Sequence, residues 1–145
     1  MNVRALESST MRVQRFLFIL LLLPSFVVSA EIRFESPESA LAYYIKAANA
    51  HDLSGINTTF LDPTDTFNFP DGPPVERFSV VKRIRYTEKD VLDWNRKGIA
   101  GPAPAVGDLE LHVREVIAGK SFMYSYQLRD TGFGWKIVDF YAWDQ

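Results

Sequence analysis

Phe122, Tyr124, Tyr126 and Leu128 alternate without a break, and no other feature limits the possible folds of this chain so sharply. A period of two over that length marks a strand with one buried face. Leu109, Leu111 and Val113 alternate before it, with Val116 and Ile117 shifted onto both faces. Ala118-Gly119-Lys120 turns the chain between the two, and Asp130-Thr131-Gly132 turns it again into a closing strand from Trp135 to Trp143. Three such strands make an antiparallel meander with at least one aromatic face.

A sheet with one apolar face needs a cover, and the first half of the chain supplies helices. Ser36-Pro37-Glu38 reads as a helix start: a capping hydroxyl, a proline at the first helical position and an acid in the first turn. Ala40, Leu41, Tyr44, Ile45 and Ala48 follow as one apolar stripe. The helix should end near His51-Asp52, with Asp52 capping a short second helix through Ile56 to Phe60 that Gly55 and two threonines weaken. Residues 61–75, LDPTDTFNFPDGPPV, read as a loop whose Phe67 and Phe69 pack on something. Glu76 to Tyr86 reads as a strand whose apolar row Lys82 breaks once. Thr87 to Lys97 reads as a helix capped by Thr87 and stopped by Gly98, followed by a second loop, residues 98–107. Helices first and strands later predict an α+β domain, with N-terminal helices packed on a curved, mostly antiparallel sheet.

The N-terminus has the layout of a secretory leader. Arg4, Arg12 and Arg15 precede an apolar run of thirteen residues, Phe16 to Val28, and Val28-Ser29-Ala30 fits the −3 and −1 positions of a cleavage site. The run contains Pro24 and falls short of the roughly 20 residues a membrane span needs. The expectation is a signal peptide at 1–30, cleavage at Ala30-Glu31, and a single domain at 31–145 in the periplasm or outside the cell, with membrane contact only during export. Residues 31–145 carry 13 basic and 17 acidic side chains, a net charge that argues against a nucleic-acid partner. The chain has no cysteine, which excludes disulfides, thiol nucleophiles and thiolate metal sites. Its stability must then come from the core, for which the 17 aromatic residues of 31–145 are the main material.

Three segments carry a family likeness: SPESALAYYIKAANAHDLSGI, LELHVREVIAGKSFMYSYQLR and the terminal GWKIVDF. In that order they resemble the nuclear-transport-factor-like superfamily, the α+β cone shared with ketosteroid isomerases and SnoaL-like cyclases. The resemblance implies a cystatin-like cone of helices over a curved sheet, and many exported members look like non-catalytic accessory or binding domains. Residues 87–107 look like an elaboration outside the family pattern. No catalytic motif of an enzymatic branch matches, so no catalytic residue carries over.

Several residues remain as candidates. His51-Asp52 could form an acid/base pair at the cone rim, but helix termination and capping explain both. Glu110, His112 and Arg114 share a strand face that could bind an acidic ligand, or simply be a solvated row with cross-strand pairs. Tyr124 and Tyr126 fall on the row of Phe122, and Asp139 could share their interior. Two tyrosines and an aspartate would resemble the ketosteroid isomerase oxyanion site, although core packing is the simpler account. The ligand pocket so expected is lined by Tyr44, Phe122, Tyr124, Tyr126 and Trp135. Asp62, Asp65 and Asp71 lack the spacing of a calcium loop, and two histidines without cysteine argue against zinc, so neither a metal nor a cofactor is expected.

The reading that follows is a small exported binding or accessory domain for an apolar ligand or a protein partner. The alternative is an isomerase or dehydratase using Asp139, Tyr124 or His51 in proton transfer. A third reading is a homodimer formed through the sheet.

Overall fold

A computed structural model describes residues 31–69 and 71–143. The expected leader at 1–30 lies outside the described residues. The elements in chain order are α1 (Pro37–Asn49), α2 (Leu53–Thr59), β1 (Val75–Arg85), α3 (Glu88–Lys97), β2 (Leu109–Ile117), β3 (Lys120–Asp130) and β4 (Trp135–Ala142). The strands form one curved antiparallel sheet in the order β1-β2-β3-β4, and the architecture is α+β as expected.

The helix ends follow local chemistry. Ser36 accepts from the Ser39 amide and Ser39 returns a bond to the Ser36 amide, closing a capping box ahead of Pro37. At the other end the Asp52 amide donates to the Ala47 carbonyl and the His51 amide to that of Ala48, while His51 takes a left-handed φ of 53°. That is a Schellman termination with histidine where glycine is usual. Asp52 then caps α2 by accepting from the Gly55 amide at 3.0 Å. Gly55 is required here: a Cβ would lie 2.9 Å from the Ala47 Cβ and 2.5 Å from Asp52 Oδ2. The residue that weakens α2 as a helix is thus the one that lets it dock on α1.

One helix face and one sheet face make the core. Ala40, Leu41, Tyr44 and Ile45 of α1 pack with Leu111, Val113, Tyr126, Leu128 and Ile137 of the sheet. Aromatic pairs extend this contact, each adding on the order of 0.5–1.5 kcal/mol beyond burial. Tyr44 meets the rings of Tyr126, Phe140, Phe60 and Phe67 at centroid distances of 5.6 to 6.3 Å.

Three register shifts decide which side chains face this core; the first, at Glu76, lets both Val75 and Phe78 face inward. In β1, Val80 pairs with Val113 and Lys82 with His112, leaving Val81 as the extra residue. Phe78 and Val80 therefore face α1, whereas Ile84 lies on the opposite sheet face. The single apolar row of the sequence serves two faces, and its break at Lys82 marks the switch. In β4, Gln127 pairs with Asp139 and Leu128 with Ile137, so Val138 is extra. Ile137 and Phe140 both point inward, and Asp139 between them points out.

α3 is capped by a box between Thr87 and Asp90 and ends at Gly98 with φ 58°. None of its residues is buried. The 98–107 loop runs along the outward sheet face, where Arg129 donates to the Ala103 carbonyl and Gly101 approaches Asp139.

Candidate functional site

Between α1, the 61–75 loop and the inner sheet face lies a cavity of about 570 Å³. Tyr44 and His51 reach it from α1 and its cap, Phe67 from the loop, Glu115 from β2, and Tyr124 and Tyr126 from β3. The loop holds its place through paired hydrogen bonds at both ends. Asn57 bonds the Thr64 backbone through both side-chain groups, and Asn49 does the same to Val75. Phe67 and Phe69 pack edge to face at 5.1 Å, and Phe69 lies 4.9 Å from the His51 ring. Phe67 thus lines the cavity's outer wall, with Phe69 packed against it.

Glu115 is the polar centre of this space. It is buried, 3% exposed, and Tyr126 donates to its Oε1 at 2.6 Å. Tyr126 pairs in register with Leu111, so its phenol extends along the sheet, past the Val113–Tyr124 step, to reach the acid. Among the described residues Tyr126 is the sole hydrogen-bond partner of Glu115. Oε2 has none, yet no fully buried side-chain oxygen among those residues is unpaired. Oε2 therefore touches open space, and the cavity is the space that Glu115 lines. Burial raises the Glu115 pKa above the usual carboxylate range, and the one bond from Tyr126 offsets this only in part. Burial and the Glu115 charge in turn push the Tyr44, Tyr124 and Tyr126 phenols up.

The structure brings together Tyr44, Tyr124, Tyr126 and His51 at one cavity, and leaves three expected residues elsewhere. Asp139 does not share the interior, because the bulge at Val138 turns it to the outward face, where its Oδ1 accepts from the Phe140 amide at 2.9 Å. Trp135 is not a pocket residue: it opens β4 opposite Asp130, beside Phe34, at the far end of the sheet from Tyr124. Phe122 continues the inner row one step beyond Tyr124, outside the cavity wall. His51 is exposed at the rim and serves the helix termination described above.

Glu115 escaped the sequence reading, although a signal for it existed. Leu109, Leu111, Val113 and Ile117 share one face, and strict alternation places Glu115 among them. The pairing of β2 with β3 runs unshifted to Ile117, so Val116 and Ile117 fall on the two faces, as expected, with Ile117 inward. Val116 is buried on the outward face.

That opposite face holds a second sealed acid. Glu110, 8% exposed, accepts from Tyr86 at 2.5 Å, from Ser125 and Tyr141 at 3.1 Å each, and from His112 Nε2 at 2.8 Å. Trp143 donates to Ser125 at 2.8 Å and stands edge-on to His112. The Glu110-His112-Arg114 row is thus no solvated face; only Arg114 is exposed. Further along, Asp108 is held by Arg129, Gln127 and the Ala105 amide. Every donor around Glu110 points at the carboxylate, which leaves this cluster a structural tie with no opening for a ligand.

Among the described residues no group of three or more metal-ligating side chains occurs, and no helix is long and apolar enough to cross a membrane. Comparison with protein-family models, with curated proteins and with solved structures finds no match to this chain.

Proposed function

We propose that this chain is an exported binding or accessory domain that takes a small, largely apolar molecule into the cavity beneath α1. One observation carries the reading: an aromatic-walled space of about 570 Å³ with a single buried acid whose free oxygen faces it. Drug-sized ligands occupy sites of this size and composition, mostly apolar with a few placed polar groups. The order of helices and strands and the three segments quoted above support membership of the nuclear-transport-factor-like cone superfamily. The basic, apolar and small-residue succession at 1–30 supports export. Calorimetric titration with small aromatic and alicyclic molecules tests the reading. Ala48 lines the cavity, and Ala48→Trp should abolish binding while the thermal transition stays cooperative. Binding unchanged by that filling would place the ligand elsewhere and refute the proposal.

The geometry also favours a second reading, proton transfer. A buried glutamate with a raised pKa beside a phenol is the equipment of a general acid or base. Glu115 and Tyr126 would then take the roles expected of Asp139 and Tyr124. Exchange of an activated C–H proton into deuterated water, lost in Glu115→Gln, is the assay, and equal rates in both proteins would end this reading.

A further inference from the structure

We infer that the molecule this cavity takes is an organic cation, an apolar amine whose ammonium group sits against Glu115 among the rings of Tyr44, Tyr124, Tyr126 and Phe140. The inference rests on the binding reading above and names its ligand class.

Four features point the same way. First, the lining includes one carboxyl group and, among the described residues, no Lys or Arg. An anion would meet no Lys or Arg there, and His51, at the rim against Phe69, is the one lining side chain able to carry positive charge. Second, ring faces carry negative π density and attract cations within about 6 Å of their centroids. Tyr44, Tyr126 and Phe140, with centroids within 5.8 Å of one another, all line the cavity. Third, the free oxygens match the donors of an ammonium. Glu115 Oε2 has no partner among the described residues, and neither do the Tyr44 and Tyr124 hydroxyls. Both phenols stand close enough to Glu115 for its charge to act on them. An –NH₃⁺ group has three donors and no acceptor. Fourth, the loop that walls the entrance carries no basic residue, and its Asp71 is exposed next to the lining Gly72.

Of the other polar lining groups, Asn49 is occupied at both ends by Val75, Tyr126 has its proton committed to Glu115, and His51 and Asn68 are exposed at the rim. A buried carboxyl group with one hydrogen bond and no counter-ion gains most from a ligand that brings the missing charge.

The test compares three molecules of one shape, 4-phenylbutylamine, 4-phenylbutanol and 4-phenylbutyrate, titrated calorimetrically into the full chain at neutral pH. The amine should bind about tenfold or more tighter than the alcohol, and the acid weakest. Glu115→Gln should remove the preference for the amine, bringing the amine and alcohol affinities together. Equal affinity of amine and alcohol overturns the cation inference and leaves the binding reading standing. Tightest binding of the acid overturns it too, as does an amine preference that survives in Glu115→Gln. If none of the three binds, both readings fall. The three-ligand comparison on the unaltered chain needs no variant to fold.

Discussion

Glu110 and Glu115 lie five residues apart on β2, on opposite faces of the sheet, and both expose little surface. Their surroundings drive them in opposite directions. Burial alone would raise both pKa values. At Glu110, hydrogen bonds from Tyr86, His112, Ser125 and Tyr141 outweigh it and hold the acid below the usual range. At Glu115 the single bond from Tyr126 does not, and the pKa rises. Donor count, not depth, separates a carboxylate that ties a structure together from one kept available to a ligand.

Substitutions at the two acids and at their donors separate these roles. Glu110→Gln should have the largest effect. The amide turns two of its own donors toward a ring of donors, and the loss should be about 3 kcal/mol in chemical denaturation. Its pH dependence follows from the lowered pKa. The stabilisation from Glu110 is complete above the ordinary value of 4.5 and fades as pH falls below it. The gap between wild type and Glu110→Gln should therefore narrow on acidification toward about pH 2. A gap that stays constant would mean that Glu110 is not ionised in the folded protein.

Tyr126→Phe should cost about 1 kcal/mol, the net worth of one hydrogen bond. It should also raise the Glu115 pKa further, read from the carboxyl carbon shift in a labelled sample. Tyr86→Phe removes one of four donors to Glu110 and should leave that acid ionised at neutral pH.

Glu115→Gln should change stability least, by roughly 1 kcal/mol or less and toward greater stability near neutral pH. The sign follows from the raised pKa. Below 4.5 the acid is protonated in both folded and unfolded chains, and as pH rises from there through the folded value its burial becomes a cost. The gain in Glu115→Gln should appear only above 4.5, opposite in direction to the Glu110 effect. A loss comparable to that of Glu110→Gln would show that Glu115 is a structural tie as well.

Much of this molecule could be read residue by residue. Ser36, Asp52 and Thr87 cap the helices that the sequence places after them, because a capping bond spans three residues and needs nothing beyond them. The loop phenylalanines, the strand limits and the aromatic row follow from equally short patterns. The cavity did not follow. Tyr44, Tyr124 and Tyr126 could be placed near it from their periodicity. Asp139, Trp135 and Phe122 were misplaced for want of two facts: an extra residue at Val138, and the end of the sheet at which α1 leaves a gap.

The sequence by itself determined the elements, their order, the absence of thiol chemistry and the amphipathic faces that must meet, since these depend on spacings of two to four residues. Only the tertiary structure decided which acid is a tie and which faces a space. That outcome depends on how many donors arrive from distant strands: Tyr86, Ser125 and Tyr141 converge on Glu110 from three different segments, while Glu115 meets Tyr126 alone. Inserting a single residue into β4 reverses the facing of everything on one side of it, and no local pattern in KIVDF announces it.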